Sequence, residues 1–314
     1  MKVFQEMAGI PSTGDLNAST IGKMRQRRCG IADVQFKKKR FSKLSKWLGK
    51  MSSHDVLRLK WKIAKYSQKL HPEATRLVVR SAFKIWSDQI AIPSMRTAKL
   101  EFSESSSADD SDIDILFATG EHGDQYPFDG GKQPGNSSNI LAHTFYPNYQ
   151  PYDPLNGDIH FDDSENWTLD PYRSSGNPYF PYVLVHEIGH ALGLGHSKRQ
   201  EAVMNPIYKS TPLSTVTLDI DDKCALNWNY IGPSNICLFV WLMVELLPRA
   251  RNSTVVNLHG HLSSYQNAKQ KSTKQLMDLF TDHDVLTQLD DDAMKENAAA
   301  LNQLINALIL KRLE

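Results

Sequence analysis

The chain has 314 residues, 36 Lys plus Arg against 35 Asp plus Glu, a net charge of +1 and 40% apolar residues. That suffices for one substantial domain with extensions, and three cysteines argue against a disulfide framework, leaving open whether Cys224 and Cys237 pair. The even charge conceals a split: fifteen Lys or Arg and two acids lie between Lys23 and Lys65, and nine acids with no Lys or Arg between Leu100 and Gly131. No nucleic-acid module accompanies the basic arm, so it reads as a solvated processing region and no nucleic-acid partner is expected.

In chain order, MKVFQEMAGI lacks the long apolar run of a secretory signal, so export is unexplained by the chain as written. LKWKIAKYS from Leu59 alternates as a strand does. Residues 74–90 carry Leu77, Val78, Ala82, Ile85 and Trp86 at the spacing of a long amphipathic helix, and AKLEFSE and DIDILFATG read as further strands. Strand, helix, strand, strand with a later helix predicts an α+β fold, a mixed sheet flanked by helices. Residues 236–247 are intensely apolar but too short to span a bilayer and contain Glu245, so a docked segment is expected and no transmembrane span. Leu301, Leu304, Ile305 and Leu308 repeat at helical spacing near the end.

The stretch that carries chemistry is HEIGHALGLGH, His186 to His196. On a helix, His186 and His190 stack on one face and reach one metal ion. Gly193 and Gly195 then let the chain turn so that His196 supplies a third nitrogen. Glu187 lies beside the remaining position, placed to take a proton from an attacking water. HExxHxxGxxH followed by a downstream Met, here Met204 in VMNP, is a far more specific signal than HExxH alone.

On these residues, on Ser197 after the third histidine and on RRCGIADV at residues 27–34, the chain resembles the matrix metalloproteinases from about Cys29 to Gly232. The resemblance implies a zinc endopeptidase with His186, His190 and His196 on a catalytic zinc and Glu187 as general base. RRCGIADV resembles the cysteine switch, with Arg27 and Ala32 in place of two prolines. Cys29 would then hold the zinc in a latent zymogen. His122, Asp124, His143 and His160 match the ligands of a second, structural zinc. Asp129, the Gly130 carbonyl, Asp162 and Glu165 match one calcium site, and Asp112 and Asp158 another, although the loops around His143 are longer than the family pattern. Leu141 and Ala142 resemble the edge strand that pairs with an extended polypeptide substrate, and Tyr182, Pro206 and Tyr208 the walls of a specificity pocket. LDIDDKCALNWNYIG resembles the last helix, its start crowded by Asp219 to Asp222.

The expected organisation is a propeptide remnant over 1–40, a catalytic domain over 41–232 and an extension over 233–314, too short for a four-bladed hemopexin-like propeller. The basic run Lys37 to Arg40 resembles a proprotein convertase site that would release Phe41 as a new terminus docking on Asp221 or Asp222. A protein inhibitor of metalloproteinases is a further expected partner, and the location is extracellular, with the amino terminus expected to be incomplete. Asn17, Asn136, Asn166 and Asn252 lie in Asn-x-Ser/Thr triplets, which matter only on export. A catalytically silent zinc-bearing binding or decoy protein and an intracellular isoform are the rival readings.

Overall fold

Alternating burial along Val56–Lys65 (β1) puts Leu57, Leu59 and Trp61 inward and Arg58 and Lys60 out to solvent, the pattern of a strand with one face on a core. The computed structural model describes residues 1–33, 45–93, 95–107, 110–130, 139–148, 153–173 and 176–237. The chain divides into two compact units, Met1–Pro233 and Ser234–Glu314. The expected helix at the end of the chain, most of the apolar run 236–247, the basic run 37–40, Phe41, Asn136 and Asn252 lie outside the described residues.

The first unit opens with two short helices, Lys2–Met7 (α1) and Ala18–Met24 (α2). Buried Gln5 ties them together, donating from Nε2 to Thr13 Oγ1, Asp15 O and Thr20 Oγ1 while its Oε1 accepts from Gly14 N. Helix α3 spans Pro72–Gln89 and starts two residues before the predicted boundary, because proline's fixed φ suits a first helical turn. Its buried stripe is Thr75, Val79, Ala82, Phe83 and Trp86. Leu77 faces solvent at 61% exposure, and Val78 and Ile85 are only partly buried, so the predicted stripe was displaced around the helix.

The strands Lys99–Glu104 (β2), Ile113–Ala118 (β3), Ala142–Thr144 (β4) and Ile159–Asp162 (β5) complete a five-stranded sheet ordered β2-β1-β3-β5-β4. All pairings are parallel except β4 with β5. The mixed sheet predicted from sequence is therefore present, and β4 stands at its edge. Helix α4, Phe180–Ala191, is buried along all twelve residues, with Trp86 Nε1 donating to Val185 O at 2.9 Å to lock it to α3. Helix α5, Ile220–Tyr230, begins with a capping box between Asp219 and Asp222. Among the described residues, no helix is long and apolar enough to cross a membrane.

Candidate metal centres and active site

Two glycines shape the region around α4. Gly193 turns the chain out of the helix with φ +91°, a left-handed conformation that side chains resist, whereas Gly195 makes no such turn. A Cβ on Gly189 would meet Met204 Sδ at 2.2 Å, so the bare backbone is what lets Met204 lie against the helix beneath the histidines.

Cys29 Sγ and one ring nitrogen each of His186, His190 and His196 lie within 4.8 Å of one another. The hydrogen bonds dictate how these nitrogens are poised. His186 Nδ1 faces Val203 O at 2.6 Å and His190 Nδ1 faces Leu194 O at 2.7 Å; a carbonyl only accepts, so both Nδ1 atoms carry the proton. The two Nε2 atoms, 3.1 Å apart, thus direct lone pairs toward one point. His196 Nδ1 lies 3.1 Å from Asp33 Oδ1, and its Nε2 is buried with no hydrogen-bond partner. Burial pushes the His186 imidazole down to about 3 and the His190 imidazole well below its usual range, so neither is protonated at neutral pH. Convergent neutral imidazoles with an orphaned nitrogen fit a zinc ion.

Cys29 Sγ approaches His190 Nε2 at 3.4 Å. It is the free thiol, and burial, then the neighbouring Glu187, pushes its pKa well up, so a thiolate here needs a cation beside it. Glu187 is wholly buried; its Oε2 accepts from Thr144 Oγ1 at 2.7 Å and its Oε1 has no partner. Burial raises its carboxyl to about 7, with the Thr144 and Cys29 hydrogen bonds opposing. A group near neutrality with one unengaged oxygen at this spot is suited to passing protons.

A second cluster joins His122, Asp124, His143 and His160. Asp124 Oδ2 lies 2.9 Å from His122 Nε2, 2.9 Å from His143 Nε2 and 2.8 Å from His160 Nδ1. His122 Nδ1 faces Gly120 O at 2.7 Å, so its Nε2 presents a lone pair to the carboxylate, an arrangement that a shared cation resolves. Three imidazoles and one carboxylate with no open position also suit zinc.

The calcium expectations fare unequally. Burial, opposed by Arg27 and reinforced by Asp162 and Asp129, raises the Glu165 carboxyl, and its Oε1 is buried without a partner. Gly130 turns this loop with φ +82°. These hard oxygens fit calcium. Asp112 instead pairs with Lys50 Nζ at 2.6 Å and accepts from Lys60 N at 2.8 Å, while Asp158 accepts from Asp114 N at 3.1 Å. Asp112 thus takes an ammonium near the expected calcium, as Glu165 takes the Arg27 guanidinium.

The segment from Arg27 to Gly30 lies along the edge of the sheet. Arg28 N donates to Asn139 O, Leu141 N to Arg28 O and Gly30 N to Ala142 O, at 2.8, 3.1 and 2.8 Å. On its other side Cys29 N donates to Pro206 O and Tyr208 N to Arg27 O. Leu141 and Ala142 thus pair through their main chain with the chain's own Arg28 and Gly30, as an added strand would at that edge. Beside them a pocket is lined by Leu141, Tyr182, His186, Glu187, Pro206 and Tyr208, with the two tyrosine rings edge to face at 6.3 Å.

Thr144 and Tyr146 escaped the sequence, while Asp33, Asp221 and Asp222, already noted there, make contacts it did not foresee. Thr144 follows His143 on β4, and the two-residue strand period turns it to the opposite face, toward α4, a signal available once β4 is recognised. Tyr146 is buried edge-on to His190, its hydroxyl 3.4 Å from Nδ1. Asp33 joins Arg28, through Nη1 and Nη2, to His196. Asp222 accepts from Val203 N, Met204 N and Asp219 N, so it braces the methionine turn. Asp221 holds Ser197 Oγ at 2.6 Å.

The family profile for matrixin (peptidase M10) matches residues 48–231. Matrix metalloproteinase-B of Caenorhabditis elegans is 44% identical over 310 residues, covering 93% of this chain and 59% of that protein. Stromelysin-1 of Mus musculus is 38% identical, covering 74% of this chain and 42% of its own length. For macrophage metalloelastase of Rattus norvegicus the identity is 33%, with 74% and 43% covered. The chain thus spans 59% or less of the length of these relatives. With the profile covering more than half of its residues and the histidines, glutamate and methionine converging as they do, the chain belongs to the matrixin family.

Proposed function

We propose that this chain is a zinc-dependent endopeptidase made latent by its own Cys29 segment, acting outside the cell on extended polypeptides such as matrix proteins. The observation that carries this reading is the convergence of His186, His190 and His196 on one point, with the buried Glu187 and the Cys29 thiol beside it. The relatives' names, metalloproteinase and metalloelastase, support the reaction class.

Zinc held by His186, His190 and His196 would supply Lewis acidity toward the scissile carbonyl and the attacking water. The residues of the chain do the rest. An extended substrate adds to the main chain at Leu141 and Ala142, and its next side chain enters the pocket between Tyr182, Pro206 and Tyr208. Glu187 takes the proton of the water as its oxygen bonds to the carbonyl carbon, then gives it to the leaving amine nitrogen as the C–N bond breaks. Thr144 fixes the rotamer of Glu187 for both transfers. His122, Asp124, His143 and His160 would hold a second zinc that staples loops, and Asp129, Gly130, Asp162 and Glu165 would hold calcium.

The functional partition is a propeptide remnant over 1–40, a catalytic domain over 41–232 and an extension over 233–314. A proprotein convertase cutting after Arg40 and a protein inhibitor of metalloproteinases are the partners this reading calls for. The test compares Glu187→Ala and His186→Ala with the parent for zinc content and peptide cleavage. Both should abolish hydrolysis, but only loss of the histidine should weaken zinc binding, and turnover of Glu187→Ala within about tenfold of the parent would remove the mechanism.

A further inference from the structure

The sequence places an arginine, Arg27, immediately before the Arg28-Cys29-Gly30 segment. The backbone ladder that seats Cys29 also delivers this side chain: Tyr208 N donates to Arg27 O at 2.9 Å and Arg28 N to Asn139 O at 2.8 Å. Asn139 N in turn donates to Asp129 Oδ2 at 3.2 Å, so the same rung reaches the acidic loop. There Arg27 Nη2 meets Glu165 Oε2 at 3.1 Å. The Glu165 side chain is 1% exposed and the Arg27 side chain 17%.

The pair is incomplete on both sides. Glu165 Oε1 and Arg27 Nε are buried with no hydrogen-bond partner, so one contact serves where a bidentate fork would use two. Breaking one partner out of a buried pair leaves a charge that must find another counterion. Asp162 and Asp129 lie close enough to act on the Glu165 carboxyl, and their negative charge makes a small divalent cation the natural replacement. A guanidinium and a calcium ion cannot share that space without strong repulsion.

We propose that Arg27 is a tethered stand-in for a divalent cation at the Asp129, Asp162 and Glu165 loop, so that the latent chain takes up calcium poorly there and departure of the Arg27 segment opens the site. Removal of the segment and calcium uptake are then thermodynamically coupled, and calcium favours the released form over the docked one. This rests on the calcium reading given under Proposed function.

The test uses the full chain carrying Glu187→Ala, so that binding is read without proteolysis. Terbium is titrated with luminescence sensitised by Trp167, whose Nε1 donates to Asp162 O at 2.8 Å, and calcium is measured by its displacement. Arg27→Ala should bind calcium about tenfold more tightly than the parent or better, and Arg27→Lys, which keeps the charge, should stay near the parent. Parent cut after Arg40 and stripped of the segment should match Arg27→Ala, and decides the matter alone if that variant fails to fold. Equal affinity in the parent and the stripped chain overturns the proposal. Absence of calcium binding in every form overturns it together with the calcium reading, while peptide hydrolysis, assayed separately on the Glu187 chain, is unaffected by either result.

Discussion

Thr144 and Glu187 are joined by a buried hydrogen bond of 2.7 Å between side chains 43 residues apart in sequence. It is the carboxyl's anchor to the sheet, and it leaves Oε1 buried without a partner. Thr144→Val keeps the shape and removes the donor. A hydrogen bond to a charged group is worth about 1.5–3 kcal/mol, so kcat should fall roughly tenfold or more with KM little changed and zinc content intact. Steady-state kinetics with metal analysis checks this; an unchanged kcat would show that Glu187 needs no such anchor.

Tyr182 lines the pocket with its ring edge-on to Tyr208, and on the proposed function it narrows the space for the residue after the scissile bond. The pocket should accept Leu or Ile better than Phe or Trp, and Tyr182→Leu should admit the large aromatics. A peptide library read by mass spectrometry decides this, and the parent preferring Trp would contradict it.

Asp222 braces the turn that holds the first histidine: its carboxylate takes Val203 N and Met204 N, and Val203 O takes His186 Nδ1 at 2.6 Å. Asp222→Ala leaves two buried N–H groups, Val203 and Met204, without acceptors, at about 1–3 kcal/mol each, and a half-buried third at Asp219. The variant should melt well below the parent and, where folded, bind zinc about tenfold to a hundredfold more weakly, as losses of outer supports do. Asp222→Asn should recover part of both, and a metal titration with thermal melting reads them together.

Cys29→Ser should hydrolyse peptide without processing, because the hydroxyl is a poorer metal ligand than the thiolate it replaces. Arg40→Ala should stay latent when exposed to a convertase. Amino-terminal sequencing of the active form should begin at Phe41; a fully active form starting upstream of Cys29 would show that the thiol is not the lock.

What could be read from sequence follows from how local each signal is. His186 and His190 are set by one turn of helix, and the strands β1, β2 and β3 by short alternation, so these emerged from spacing alone. Three-residue β4 is too short to show a period, and its place as edge strand came from resemblance. The ties from Thr144 to Glu187, Asp222 to Val203 and Arg27 to Glu165 cross 43, 19 and 138 residues. Such contacts exist only once the chain is packed, and no local pattern encodes them. On α3 the pattern found the helix but misplaced its buried face, since Leu77 on a polar side looks no different in sequence from a core leucine.

Residues on both sides of the stretch 34–44 are separately moored. Upstream, Gly30 N is tied to Ala142 O. Downstream, Trp47 Nε1 donates to Ala191 O at 2.9 Å and Asn229 Nδ2 to Ser45 O at 2.8 Å. A cut within the stretch therefore severs the covalent link without pulling either mooring loose. On the proposed latency, the Cys29 segment changes from a tethered ligand, present at an effective concentration on the order of millimolar, into a bound peptide that must dissociate and be diluted. Activity after cleavage should then appear with a lag whose rate does not depend on the convertase, and concentrated enzyme should remain partly silent long after every chain has been cut.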